Sequence, residues 1–242
     1  MKVIPVIDIL NGVVVHAVRG KRSEYQPMQS VLCGSVDPLE VAKAFKGLGF
    51  TDLYVADLDA IIDCSADFQT VSRMAEETGV KLMVDAGVTA MERAQSLLSS
   101  GVSKLVIGTE TLQTKSFVGE AVRAFGSARV VVSLDLKGDK VLAKSGFDGC
   151  TDGMCLLKEF KEMGVTQVIV LDLARVGSSE GVNVDFVRKV LASGMEVYVG
   201  GGVRDMADLV ELRSLGVSGV LVASALHSGK ISVEELRQKG LL

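Results

Sequence analysis

The chain has 242 residues, of which 48% are hydrophobic and 26 are glycine, with a formal net charge of −4. That is enough apolar sequence for one large core with many tight turns, and the acidic balance excludes a general nucleic-acid binder, which would carry a basic excess. No run approaches about 18 uninterrupted apolar residues and the first residues lead straight into a strand, so neither a membrane span nor a secretory leader is expected and a cytoplasmic protein is the default.

In chain order, β-branched apolar runs fall at 3–8, 53–58, 81–86, 104–109, 130–135, 167–172, 196–201 and 219–224. Amphipathic stretches lie between them, among them 38–45, 90–100, 154–163 and 206–215. Several are followed by a glycine suited to a left-handed helix cap: Gly49, Gly79, Gly101, Gly164, Gly194 and Gly216. Continuous apolar strands alternating with helices predict a parallel sheet covered by helices, and eight such units predict closure into a (β/α)8 TIM barrel spanning 1–242 as one domain. A doubly wound open sheet is the alternative.

The chain also echoes itself. Residues 54–58 match 169–173 at an offset of 115, and at the same offset 85–112 match 200–227 at 8 of 28 positions. This predicts two half-barrels, approximately 1–126 and 127–242. The Asp8/Asp135 pair is offset by 127, so the first half carries twelve extra residues between Asp8 and Asp57. They fall on the polar stretch 19–27, which breaks both periodicities and reads as a long loop. Arg19, Lys21 and Arg22 in it could clamp an anion at the mouth, although a loop kept polar for solubility is the simpler expectation.

Active sites of this fold sit at the C-terminal ends of the strands. Five of the eight ends are aspartate: Asp8, Asp57, Asp85, Asp135 and Asp172. Any one could merely cap the following helix. Five at one mouth would repel one another unless some bind cations, share protons or do chemistry. Gly200, Gly201 and Gly202 end the seventh strand before a helix, and Ala223 and Ser224 end the eighth, a combination that predicts a phosphate site on backbone amides. The cysteines (Cys33, Cys64, Cys150, Cys155) and the two histidines (His16, His227) have no metal-ligand spacing, so reduced thiols and no metal are expected.

Ile4-Pro5-Val6-Ile7-Asp8 with Asn11-Gly12-Val13-Val14, Val132-Ser133-Leu134-Asp135 with Gly138-Asp139-Lys140-Val141, and Gly200-Gly201-Gly202-Val203 with Val220 to Leu226 resemble the histidine-biosynthesis barrel family. The similarity covers essentially the whole chain and is closest to the ribotide isomerase branch, including archaeal-type paralogues of it; the cyclase branch is more distant. The resemblance implies an Amadori rearrangement of an aminoaldose to an aminoketose, with Asp8 as base and Asp135 as acid, no metal and no cofactor. It also implies a phosphorylated small-molecule substrate bound in part by Gly108, Thr109, Gly177 and Ser178, by a protein that is a monomer or small homo-oligomer.

Departures from the family pattern bear on substrate. Asp85-Ala86-Gly87 stands where the second half has Gly200-Gly201-Gly202, placing charge where a second phosphate would arrive. Val176 replaces an aspartate after the sixth strand, and Leu171 an ordinarily polar residue before Asp172. Asp85, Asp57, Asp172 and Arg19 are therefore the candidate specificity residues. Three functions stay open: the ribotide isomerase type; an enzyme using the same aspartates on a different substrate, with one phosphate and an amine or other cation facing Asp85; and a non-catalytic metabolite-binding barrel.

Overall fold

The computed structural model describes residues 1–63, 68–137 and 140–242; Cys64 and the Gly138-Asp139 pair lie outside the described residues. Eight parallel strands follow one another around a closed sheet: β1 (Lys2–Leu10), β2 (Asp52–Asp57), β3 (Lys81–Asp85), β4 (Lys104–Gly108), β5 (Val130–Lys137), β6 (Gln167–Asp172), β7 (Glu196–Gly200) and β8 (Gly219–Val222). β8 returns to β1 in parallel, with Val3 opposite Val220 and Ile4 opposite Leu221. The sheet is therefore the barrel of the first expectation and has no open edge of the doubly wound kind.

The helices between the strands are α1 (Pro38–Gly47), α2 (Leu58–Asp63), α3 (Gln69–Thr78), α4 (Met91–Ser99), α5 (Ser116–Phe125), α6 (Gly153–Glu162), α7 (Val184–Leu191) and α8 (Met206–Leu215), and α9 (Ser224–His227) and α10 (Val233–Gln238) follow β8. Strand alternation divides the apolar residues into two cores. Ile4, Tyr54, Met83, Val106, Val131, Ile169, Tyr198 and Leu221 fill the barrel, while residues one position along, such as Leu53, Leu82, Leu105 and Val168, pack against the helices.

The stretch after β1 departs from the expected open loop. Val13–His16 folds back antiparallel on β1, Val15 opposite Asp8, and Gln26–Pro27 adds to it in turn, with a short 3-10 turn at Arg22–Glu24 between them. Valine-rich residues 13–15 supply the β propensity, and Asn11 and Gly12 make the reversal with φ of 53° and 73°. The polar segment is thereby held across the barrel mouth.

α1 shows how local sequence sets an element boundary. Asp37 accepts from the amides of Leu39 and Glu40, and Pro38 starts the helix where a missing N–H costs nothing. Asp37→Ala should lower unfolding stability by about 1 kcal/mol with steady-state activity unchanged, measurable by urea denaturation.

Candidate active site

Since successive side chains of a strand point to opposite faces, only some strand-end residues reach the interior. Asp8 lies two residues past Val6 on the inner face of β1, Asp85 two past Met83 on β3, and Asp135 two past Ser133 on β5. These three line a single cavity at the mouth, about 1000 Å³ with its opening included. Asp57 and Asp172 have the other parity. Asp57 accepts from the Ala60 amide at 3.0 Å, at the start of α2, and Asp172 takes the Ala174 amide at 3.1 Å and the Arg175 guanidinium at 3.1 Å. Neither lines the cavity. The expected convergence of five aspartates is thus a convergence of three, with Glu110 added from the loop after β4.

Asp135 is 2% exposed. Ser133 Oγ donates to its Oδ1 at 2.7 Å and the Glu110 amide to its Oδ2 at 3.0 Å. Burial, then the charges of Asp85 and Glu110, pushes its carboxyl up to about 8, more than these hydrogen bonds bring it down. Asp85 is raised to about 7, chiefly by burial, with a single compensating bond from the Gly87 amide at 3.1 Å. Asp8 is raised to about 7 by burial alone. No described residue hydrogen-bonds its carboxylate. Tyr54, among the aspartates, has its phenol held well above the usual range by burial and by Asp85, Asp135, Asp8 and Glu110.

Glycine at position 108 makes this crowding possible: a Cβ there would stand 2.9 Å from Oδ2 of both Asp85 and Asp135. Gly108 therefore accommodates the two carboxyls and does not line the cavity. Thr109, expected to touch phosphate, is fully buried; its hydroxyl accepts from the Asp135 amide at 3.0 Å. It fixes the backbone of Asp135 from behind.

Across the mouth, Gly200, Gly201, Gly202, Ala223 and Ser224 form an uncharged wall. At φ +88° a Cβ on Gly201 would lie 2.4 Å from the Asp172 carbonyl, so this turn requires glycine. Gly177 is on the wall beside them, while Ser178 is turned into its own loop, donating to the Arg175 carbonyl at 2.8 Å; Ser179 lines the cavity instead.

Of the basic residues in the first loop, Arg19 pairs with Glu180 at 2.6 Å, half exposed, and does not line the cavity. Arg22 is the one that reaches it, ion-paired with Glu110. Glu110, Tyr54 and Arg22 are the site residues that sequence reasoning passed over or ranked low. The position of Glu110, two residues beyond an inward-facing strand end, was a usable signal. Among the described residues no cluster of three or more histidine, cysteine or carboxylate side chains is arranged to hold a metal ion, and no helix is long and apolar enough to cross a membrane.

Residues 2–232 match the profile of the family described as histidine biosynthesis protein. An uncharacterized protein of Methanocaldococcus jannaschii is 35% identical over 99% of both chains. Proteins named 1-(5-phosphoribosyl)-5-((5-phosphoribosylamino)methylideneamino)imidazole-4-carboxamide isomerase are similar over nearly their whole length: 33% identity in Methanosarcina acetivorans, covering 96% of this chain and 95% of that one, and 29% in Streptococcus sanguinis, covering 98% of each. With a match of this extent, the chain belongs to the histidine biosynthesis protein family.

Proposed function

We propose that this protein is an aldose–ketose isomerase of the Amadori type acting on a phosphorylated sugar amine, with Asp8 as general base and Asp135 as general acid. The observation that carries the reading is that both carboxyls face one cavity from β1 and β5, Asp8 raised by burial alone and Asp135 by burial together with the charges of Asp85 and Glu110. Asp135, pushed up to about 8, holds a proton at neutral pH and delivers it to the ring oxygen, opening the sugar to the iminium. Asp8, free of hydrogen bonds and pushed up to about 7, is ionised in half or more of the molecules at and above that pH. It removes the C2 proton, and the resulting enolamine tautomerises to the aminoketose. Relatives named as isomerases support this reaction class.

Phosphate is assigned to the wall of Gly201, Gly202 and Ser224, where close backbone approach and the absence of charged side chains suit an anion. A specific observation favours a second reading of substrate within the same chemistry: Asp85 and Glu110 occupy the other side of the mouth. A second phosphate there would meet like charge, so a substrate with one phosphate fits the cavity better than one with two. Growth of a histidine auxotroph carrying this gene separates the two, since rescue would require the two-phosphate substrate of the named isomerases.

Asp8→Asn and Asp135→Asn should each reduce turnover by about two to four powers of ten with the fold intact by circular dichroism. Near-normal turnover in either would remove that residue from the mechanism. In the wild type, kcat/KM should rise with pH through about 7 as Asp8 ionises and fall through about 8 as Asp135 loses its proton, giving a narrow bell. Asp135→Asn should lose the alkaline limb.

The same shift has a stability consequence. The folded Asp135 carboxyl lies above its unfolded value, so its favourable contribution is present in acid and is lost as pH rises through about 8. Thermal melts of wild type and Asp135→Asn should therefore move in the variant's favour between about pH 6 and about pH 9. A pH-independent difference would mean that Asp135 is ionised throughout.

A further inference from the structure

The acidic side of the mouth holds more than a repulsive wall. Asp85, 7% exposed, has one oxygen bound to the Gly87 amide, while its Oδ2 has no donor among the described residues and is directed toward the space above Gly108. Tyr54, 4% exposed, lines the cavity beside it, and its hydroxyl is without a hydrogen-bond partner among the described residues. Two side chains, each more than nine-tenths buried, thus present unpaired polar atoms to the same side of one cavity, where the donors of a ligand can complete them. Glu110 meets the guanidinium of Arg22, which is carried on the first loop and, among the described residues, is the only cation on the cavity wall. The protein's own structure therefore already places a nitrogen cation here.

We infer that Asp85 and Glu110, with the Tyr54 hydroxyl, form a subsite for a protonated amine of the substrate, placed opposite the end that takes phosphate. This deepens the proposed isomerase reading and rests on it for the phosphate end. An ammonium can donate to Asp85 Oδ2 and to Glu110 in charge-assisted hydrogen bonds, and a third N–H can reach Tyr54. It would displace Arg22 from Glu110, freeing that loop residue for solvent or for the substrate's polar body. A divalent metal is a poorer occupant, because the carboxyls are not arranged as a metal-ligand cluster. A second phosphate is poorer still, because Arg22 alone would face the charges of Asp85 and Glu110.

Calorimetric titration with three matched series tests the assignment: ω-aminoalkyl phosphates, alkyl phosphates and α,ω-alkyl bisphosphates of the same chain lengths, with alkylamines as the phosphate-free arm. At the best length the aminoalkyl phosphate should bind about tenfold or more tightly than its alkyl counterpart. That preference should fall to near unity in Asp85→Asn and shrink in Glu110→Gln, while affinity for the alkyl phosphate stays the same or rises. An amine that adds nothing in the wild type, or a bisphosphate that binds more tightly than the amino compound, would overturn the subsite. So would a preference that survives both substitutions, or an absence of binding in all four series. Alkylamines that bind in an Asp85-dependent way without any phosphate contribution would instead uphold the amine subsite and remove the phosphate assignment.

Discussion

Everything at the mouth depends on the hydrogen-bonded pairing of β8 with β1. The ladder from Lys2–Gly219 to Pro5–Val222 closes the sheet. It also sets the first strand, which ends in Asp8, beside the last, which ends in Ala223 and Ser224. In an open sheet these residues would lie at opposite edges. Closure also fixes the meaning of strand alternation, because one face of every strand now points at a single axis. Inner positions contribute Ile4, Tyr54, Met83, Val131 and Tyr198 below and Asp8, Asp85 and Asp135 above, so an apolar plug supports a carboxylate layer.

That layer is unfavourable as architecture. Burial raises all three aspartates, and the mutual charge of Asp85, Glu110 and Asp135 raises Asp135 further. Each unit of raised carboxyl pKa is about 1.4 kcal/mol of preference for the neutral form. A core optimised for stability would not retain such groups, and their survival among Val, Ile and Leu neighbours is the pattern expected of a site that exchanges stability for proton transfer. Gly108 belongs to the same compromise. Omitting a side chain there weakens β4 locally but allows two carboxyls to approach closely enough for one to control the proton on the other.

The strands, and the placement of Asp8 and Asp135 at strand ends facing one cavity, were legible because they depend on local pattern. Runs of valine and isoleucine at regular spacing mark all eight strands to within one or two residues, and motifs at both Asp8 and Asp135 carry the family resemblance. What was not legible depended on parity and on long-range closure. Asp57 and Asp172 look equivalent to Asp8 as strand ends, yet lie one residue out of phase and serve a helix start and Arg175 instead. Thr109 fails for the same reason. Counting back in steps of two from each strand end would have separated them. Tyr54 was hidden inside an apolar run, and the choice of Arg22 over Arg19 follows from a hairpin whose pairing partner, Val15 against Asp8, is itself set by the barrel.

The mouth is polar in a directional sense. One side presents glycine turns and a serine; the other presents two carboxylates answered by one guanidinium. A phosphate brought within about 4 Å of a carboxylate, at an effective dielectric near 20, is repelled by about 4 kcal/mol per unit charge, on the order of a thousandfold in affinity. A substrate with a single phosphate therefore has one orientation available, and that orientation presents its far end to Asp85. On the proposed reading, the asymmetry that disfavours a second phosphate would also order the reacting carbons between Asp8 and Asp135, so that specificity and alignment for proton transfer would arise from one distribution of charge.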